Sequence, residues 1–485
     1  MLGAKVAAVG LAALLSVEAP AQFTVLHSFN GQDGGAPKGS MIFARGTLYG
    51  FTAQGGNADT SLGLGTLFVM KPNGTGFNSY YTFTDPSGDQ PQHGYMELTG
   101  NKLYRTNRLG ADGGGELFSV KLDGTGYTPL HVFAQATGWQ PYSGVLIGPS
   151  RLLYGLTAKG GDFDGGVLYS YNLGNGDYKV LYSFGGNATG FDPRGELIFD
   201  STGRYLLGMT REGGTNGDGT IFRISPYGSN PAGTYTDLYA LNNADPTAAG
   251  FQDHGILTRV GRMVFGLTQL GGANGEGTLF AMGDTGSNFS LIHSFGDPGT
   301  TDDGQDPYGS LAYVHGIFYG MTRDGGVNGL GSIFYYNLST GAYRMIFSFD
   351  ESVGAKPVDN LTSNAGGNVL YGMTQEGGAF DPTGALKYGT VFSIVLRPAR
   401  TPPTITLQPV SLTVFTGRNA TFMVAASGGR PLRYQWQKDG VDIPGAVRNQ
   451  YTIRRVNSTN DGVYRVIVTN PVTAVPSANV TLTVN

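Results

Sequence analysis

Cysteine is absent from the 485 residues, which removes disulfides, thiolate metal sites and lipoprotein anchoring in one step. The fold must therefore hold by burial alone, and a chain of this length has material enough for two cores. Histidine occurs only six times and tryptophan twice, so candidates for a general base or a stacking platform can be weighed one by one. Charge is sparse as well. Only 14% of residues are charged and the formal net is −4, which gives no basic field for nucleic acid or anionic lipid. Long apolar runs are missing apart from residues 6–17, a stretch too short to anchor stably across a bilayer. That run follows Lys5 and precedes Ala19-Pro20-Ala21 and Gln22, the small-x-small pattern of a signal-peptidase site. The expectation is a signal peptide over residues 1–21, cleaved after Ala21, and a secreted or cell-surface protein. Neither a membrane span after cleavage nor a nucleic-acid partner is expected.

What the chain has in abundance is glycine, 80 residues, arranged in a repeated phrase. The phrase reads aromatic-Gly-x-Thr, then Gly-Gly, then Gly-Thr-apolar-Phe, as in Tyr49-Gly50-Phe51-Thr52, Gly55-Gly56 and Gly65-Thr66-Leu67-Phe68. It returns at Tyr104, Tyr154, Leu207, Phe265, Tyr319 and Tyr371, with spacings of 55, 50, 53, 58, 54 and 52 residues. Periods of this length mean a propeller or a solenoid. Each repeat holds four short runs of aromatic and branched residues bounded by turn formers, best seen in the sixth at residues 309–314, 316–322, 332–336 and 343–349. Seven units of four strands predict a seven-bladed β-propeller over residues 22–397.

The strand count also says how the ring should close. A fourth-strand signature, aromatic or His two residues before Phe or Leu, ends at Phe29, Phe83, Phe133, Phe184, Leu241, Phe295 and Phe349. The first of these precedes any complete repeat, and the seventh repeat stops after its third strand at residues 389–394. Residues 23–29 are therefore expected to supply the missing strand and cover an edge that would otherwise template aggregation.

After a proline-rich linker at residues 398–403 the phrase vanishes, and about seven short alternating strands fill residues 404–485, as in a β-sandwich. Trp436 lies twelve residues after Val424, and Tyr464 two residues before Val466. This segment resembles an immunoglobulin domain with a tyrosine corner, in which Val424 and Val466 take the two disulfide positions. The fold class expected for the whole chain is all-β, a propeller closed by an N-terminal strand and followed by an immunoglobulin-like sandwich.

The repeats resemble a known group as well. Leu370-Tyr371-Gly372-Met373-Thr374-Gln375-Glu376-Gly377-Gly378, followed by Gly389-Thr390-Val391-Phe392, is similar to the GloVer tandem repeat of bacterial secreted proteins known as choice-of-anchor proteins. The resemblance covers residues 23 to about 397. It implies a secreted or surface-held β-propeller and brings no catalytic residues with it. Surface-held members end in an anchoring segment, whereas residues 482–485 form a strand-like end, which favours free secretion.

Residues able to carry chemistry are few. His27, His131 and His293 precede Phe29, Phe133 and Phe295 by two, where other repeats carry Tyr81, Tyr182, Tyr239 and Phe347. A periodic slot of this kind reports packing, so these histidines read as aromatic plates. Acidic residues including Asp89 and Asp306 fall in the connections between repeats, where they either make turns or converge on a ligand at the channel mouth. Neither the glycine loops nor any Asp, Glu or His set matches a metal, phosphate or dinucleotide motif, so no metal and no cofactor is expected.

Two departures from the repeat remain. Trp139 stands in a polar connection where a large aromatic suits sugar stacking. Arg105 replaces the phrase glycine of repeat two, with Arg108 just beyond; degeneration of one repeat and a grafted ligand site both account for the pair. Trp139, Arg105, Arg108, Asp89 and Asp306 are thus the candidate ligand contacts, with no catalytic set. The function expected is binding of an extracellular glycan or protein by a monomer. A carbohydrate-active enzyme with the sandwich as spacer, or a structural envelope component, are the alternatives.

Overall fold

The computed structural model of the protein describes residues 22–56, 64–84, 94–110, 113–185, 189–227, 231–250, 256–299, 303–379, 388–396, 402–429, 432–470 and 473–485. The expected signal peptide, Asp89 and most of the expected linker lie outside these. Two compact units are present, Gln22–Val395 and Leu396–Asn485.

In the first unit seven antiparallel sheets follow one another, each built on four strands, with short additions in the last two. We number them by their second strands: Thr47–Thr52, Lys102–Asn107, Leu152–Thr157, Leu206–Met209, Met263–Thr268, Ile317–Gly325 and Val369–Glu376. The fourth strand of sheet 7 comes from the other end of the unit. Gln22–Ser28 pairs antiparallel with Thr390–Val395, setting Phe23 opposite Ile394 and Ser28 opposite Thr390.

The repeated phrase is explained atom by atom. Its first glycine lies under the aromatic ring of its third strand: a Cβ on Gly50 would sit 2.3 Å from Phe68, and one on Gly320 2.4 Å from Phe334. Its two hydroxyl residues meet across the strands, Thr52 with Thr66 at 2.9 Å, Thr268 with Thr278 at 2.6 Å and Thr374 with Thr390 at 2.9 Å, which satisfies buried polar groups. The aromatic of the phrase packs on the next sheet. Tyr49 shares a core with Met96 and Leu103 of sheet 2, and Tyr371 shares one with Met41 and Leu48 of sheet 1.

A second ladder joins the sheets through their fourth strands. Tyr81 stacks on Tyr127, His131 on Tyr178, Tyr182 on Tyr235, Tyr239 on Phe289, His293 on Tyr343, Phe347 on Phe23 and His27 on Phe77. Ring centroids are 3.6 to 5.1 Å apart. One stack serves each step from sheet to sheet, and His27 on Phe77 joins sheet 7 to sheet 1. The histidines are thus plates in a stack, and burial lowers the His131 pKa to about 4.

The second unit has its own core, with Trp436 and Val466 fully buried and Val424 and Tyr464 nearly so. Trp436 lies directly opposite Val466 in neighbouring strands, and its indole nitrogen donates to the Arg448 carbonyl at 2.9 Å. The Tyr464 hydroxyl donates to the Asn460 carbonyl at 2.8 Å, the tyrosine corner expected of an immunoglobulin-like domain. With valines at both disulfide positions, apolar packing alone joins the two sheets there.

Candidate functional site

The connections from each fourth strand to the next first strand form one face together with the loops that follow the phrase threonine. Their shape is set by a strained residue. Ala36, Gln140, Asp192, Asp306 and Lys356 each precede a proline and each has φ between 42° and 57°, a conformation costly for a residue with a side chain. Hydrogen bonds on both sides hold it. Its N–H donates to the preceding sheet, as from Gln140 to Gly114, Asp192 to Gly165, Asp306 to Glu276, Lys356 to Leu330 and Ala36 to Tyr388. Its carbonyl accepts within its own sheet, as from Ala158 to Gln140 and Arg211 to Asp192. The proline then rests on the phrase glycine of the preceding sheet, where a Cβ on Gly115 would lie 2.6 Å from Pro141. A rigid rim results, and the residue after each proline (Lys38, Tyr142, Arg194, Tyr308 or Val358) occupies an equivalent place on it.

Beneath the rim the leading residues of the first strands meet. Tyr95 of sheet 2 hydrogen-bonds Ser310 of sheet 6 at 3.1 Å, and its N–H donates to Glu196 of sheet 4. Asp359 of sheet 7 accepts from Ser40 at 2.9 Å and from the Gly94 N–H at 2.8 Å. Arg105 belongs to this interior. It is 1% exposed, donates to the Gly94 carbonyl at 2.7 Å and stands 5.0 Å from the Phe51 ring centroid. Desolvation brings its pKa down to about 10 while Asp359 and Glu196 counter the shift. Burial and the neighbouring Asp359 push Glu196 up to about 8. Arg105, a candidate ligand contact in the sequence, thus lies among interior groups, its guanidinium in the field of Asp359 and Glu196. Other departures in sheet 2 accompany it, for Asn107 and Glu116 replace the hydroxyl pair and Tyr127 donates to Glu116.

Arg108, by contrast, is on the face. Its guanidinium lies 5.3 Å from the centroid of the Tyr142 ring, and Arg194 lies 4.5 Å from the same ring. Arg194 grips Asp192 through Nε at 2.9 Å and a terminal nitrogen at 3.0 Å, and Arg211 adds a longer contact at 3.4 Å. Asp306 accepts from Gln269 at 2.9 Å and from Arg323 at 3.4 Å; burial raises its pKa. Asp324 pairs with Lys356. Asp306 thus ties sheets 5 and 6 together.

Trp139 is half-buried, its ring edge against Gly113 and Gly114 and its backbone paired with Lys159. Phe191 occupies the equivalent place in the next repeat. Beside it opens a cleft of about 610 Å³ lined by Lys159, Phe163, Asp164, Gly165, Gly185, Phe191 and Gly213. Phe163 is 66% exposed. Sequence reasoning missed Phe163, Lys38 and Glu196. The first two occupy repeat positions where neighbours vary, and only that irregularity could have marked them.

Comparison with known proteins bears on both units. Residues 402–470 match the immunoglobulin domain family. Over 92 residues the chain is 38% identical to Endoglucanase C of Cellulomonas fimi, covering 18% of this chain and 8% of that protein's length. Among solved structures, a chimeric titin functionalized with a decorin peptide is 32% identical over 18% of this chain and 96% of its own, with a TM-score of 0.16. An I-band fragment of titin is 28% identical over 17% and 32%, with the same score. The Gloeobacter/Verrucomicrobia repeat matches twice, over residues 10–205 and 205–406, and with most of its length so covered this chain belongs to that repeat family.

Proposed function

We propose that the seven sheets form a closed seven-bladed β-propeller, exported from the cell, that binds an extracellular polysaccharide on its connection face. Closure is supported by the seventh sheet's borrowed strand and by the aromatic stack that joins it to the first. Binding is supported by one observation above all: Phe163, two-thirds exposed, flanks a cleft with Phe191, Lys159 and Asp164. Exposed rings beside polar groups suit sugar, which offers apolar faces and hydroxyl edges together. The stretch shared with an endoglucanase accords with a polysaccharide setting. The immunoglobulin-like unit then acts as a spacer. A hydrolase gains less support, because the described acids Asp192, Asp306 and Asp324 are held by cations or amides and a glycosidase needs a facing carboxyl pair.

A glycan array probed with the full chain tests this reading. Binding to a polysaccharide is expected, and Phe163→Ala should weaken it about tenfold or more without lowering the melting temperature, as for an exposed substitution. Trp139→Ala should act in the same direction and more mildly, since part of its ring already rests on Gly113 and Gly114. A folded parent that binds no glycan, or a Phe163 variant that binds like the parent, rules the cleft out.

A further inference from the structure

The first strands carry one acidic departure that lies away from the connection face. In every sheet one of their residues stands directly opposite the first residue of the phrase. That residue is Glu97 in sheet 2, opposite Tyr104, and Ile42, Leu146, Ile198, Thr258, Ala312 and Thr362 in sheets 1 and 3 to 7 in turn. All seven border one or other of two cavities, of about 330 and 290 Å³. Tyr95, whose hydroxyl meets Ser310 at 3.1 Å, borders both. Six of the seven positions are uncharged, so packing common to all the sheets does not call for a carboxylate there. Glu97 lines the smaller cavity, where Leu146, Ile198 and Ile256 supply apolar wall.

The charge of Glu97 is left unbalanced. One carboxylate oxygen accepts from the Ile147 N–H at 3.2 Å, and no cation pairs with the group among the described residues. Arg259, which lines the same cavity, donates instead to the carbonyls of Phe199 and Gly261, each at 2.9 Å. Glu196 borders the cavity too, but its carboxylate accepts from the Tyr95 and Gly144 N–H groups and has Arg105 in its field. Burial raises the pKa of Glu97, with the bond from Ile147 acting the other way. A partly buried carboxylate without a cation is costly. A cation that entered with apolar surface attached would offset that cost and cover the apolar wall at the same time.

We propose that this cavity binds a primary ammonium carried on an aliphatic chain, with Glu97 as the anion that receives it. The ammonium supplies donors to the carboxylate, and the aliphatic chain lies against Leu146, Ile198 and Ile256. A neutral sugar suits the cavity less well, because those three side chains offer its hydroxyls no partner. The cavity shares no lining residue with the Phe163 cleft, so amine binding here and glycan binding there can fail separately.

Calorimetric titration of the full chain in an amine-free buffer should show saturable binding of hexylamine. Hexanol and hexanoate, of the same chain length with no charge or the opposite one, should bind about tenfold more weakly or not at all, since neither can make the charge-assisted hydrogen bond. Glu97→Gln keeps an acceptor for the Ile147 N–H and removes only the charge, and it should weaken hexylamine by about tenfold or more. Leu146→Phe adds bulk to the cavity wall with the carboxylate still in place. It should weaken the amine as well, which keeps the site testable if the Glu97 variant does not fold. A folded parent that shows no saturable binding of hexylamine overturns the site, as does one that binds hexanol equally well. A folded Glu97→Gln or Leu146→Phe protein that binds hexylamine as the parent does also overturns it.

Discussion

At the scale of single residues, position within a repeat was a better guide than chemical type. Trp436 and Tyr464 could be assigned because their spacing from Val424 and Val466 implied one core, and all four side chains meet there. Trp436→Ala should destabilise the second unit by about 3 to 5 kcal/mol, as for other buried aromatics cut to alanine. Tyr464→Phe should cost about 1 to 2 kcal/mol, because only the hydrogen bond to the Asn460 carbonyl is lost. Chemical denaturation of the full chain, followed by far-ultraviolet circular dichroism for the first variant and by Trp436 fluorescence for the second, measures both. Histidines 27, 131 and 293 were legible for the same reason, since aromatic neighbours at the equivalent positions announced a stacking slot.

Glu196 was not legible, and the reason is physical. Its equivalents Ser40, Tyr95 and Gly144 share no chemistry with it, and its partners come from other sheets. Only the folded chain brings Asp359 and Arg105 within its field. Raised from 4.5 to about 8, this carboxyl keeps in the folded state a proton that the unfolded chain releases. Its contribution to stability is therefore complete below about 4.5 and is lost as pH climbs towards 8. Glu196→Gln mimics the neutral acid. Melting temperatures recorded from pH 5 to 8 should fall less for the variant than for the parent, and parallel curves would show that Glu196 stays ionised throughout.

At the scale of elements, the number of strands could be read from the chain and the way they lock together could not. Counting fourth-strand signatures placed residues 23–29 in the last sheet, and Gln22–Ser28 pairs there with Thr390–Val395. Deleting residues 23–29 should expose that strand's edge and remove Phe23 and His27 from two aromatic stacks. Lower solubility and a melting temperature several degrees lower are expected, and light scattering with calorimetry would report both. A deletion variant as soluble and as stable as the parent would show that the strand closes nothing. The left-handed residue before proline escaped sequence reasoning because proline ordinarily pushes its predecessor towards extended backbone. Hydrogen bonds from two neighbouring sheets override that preference at Gln140 and Asp192, and no local pattern announces them.

At the scale of the molecule, the described residues form two units with separate cores, one built of repeats and one immunoglobulin-like. The repeat unit carries a further consequence in the order of its assembly. Phe23 stands opposite Ile394, so the first strand of the unit to be synthesised waits for its last. Until that partner arrives, sheet 7 has no outer strand and the stack of His27 on Phe77 has no framework behind it. Contacts so distant in sequence form slowly, and a partly made unit keeps an open edge throughout.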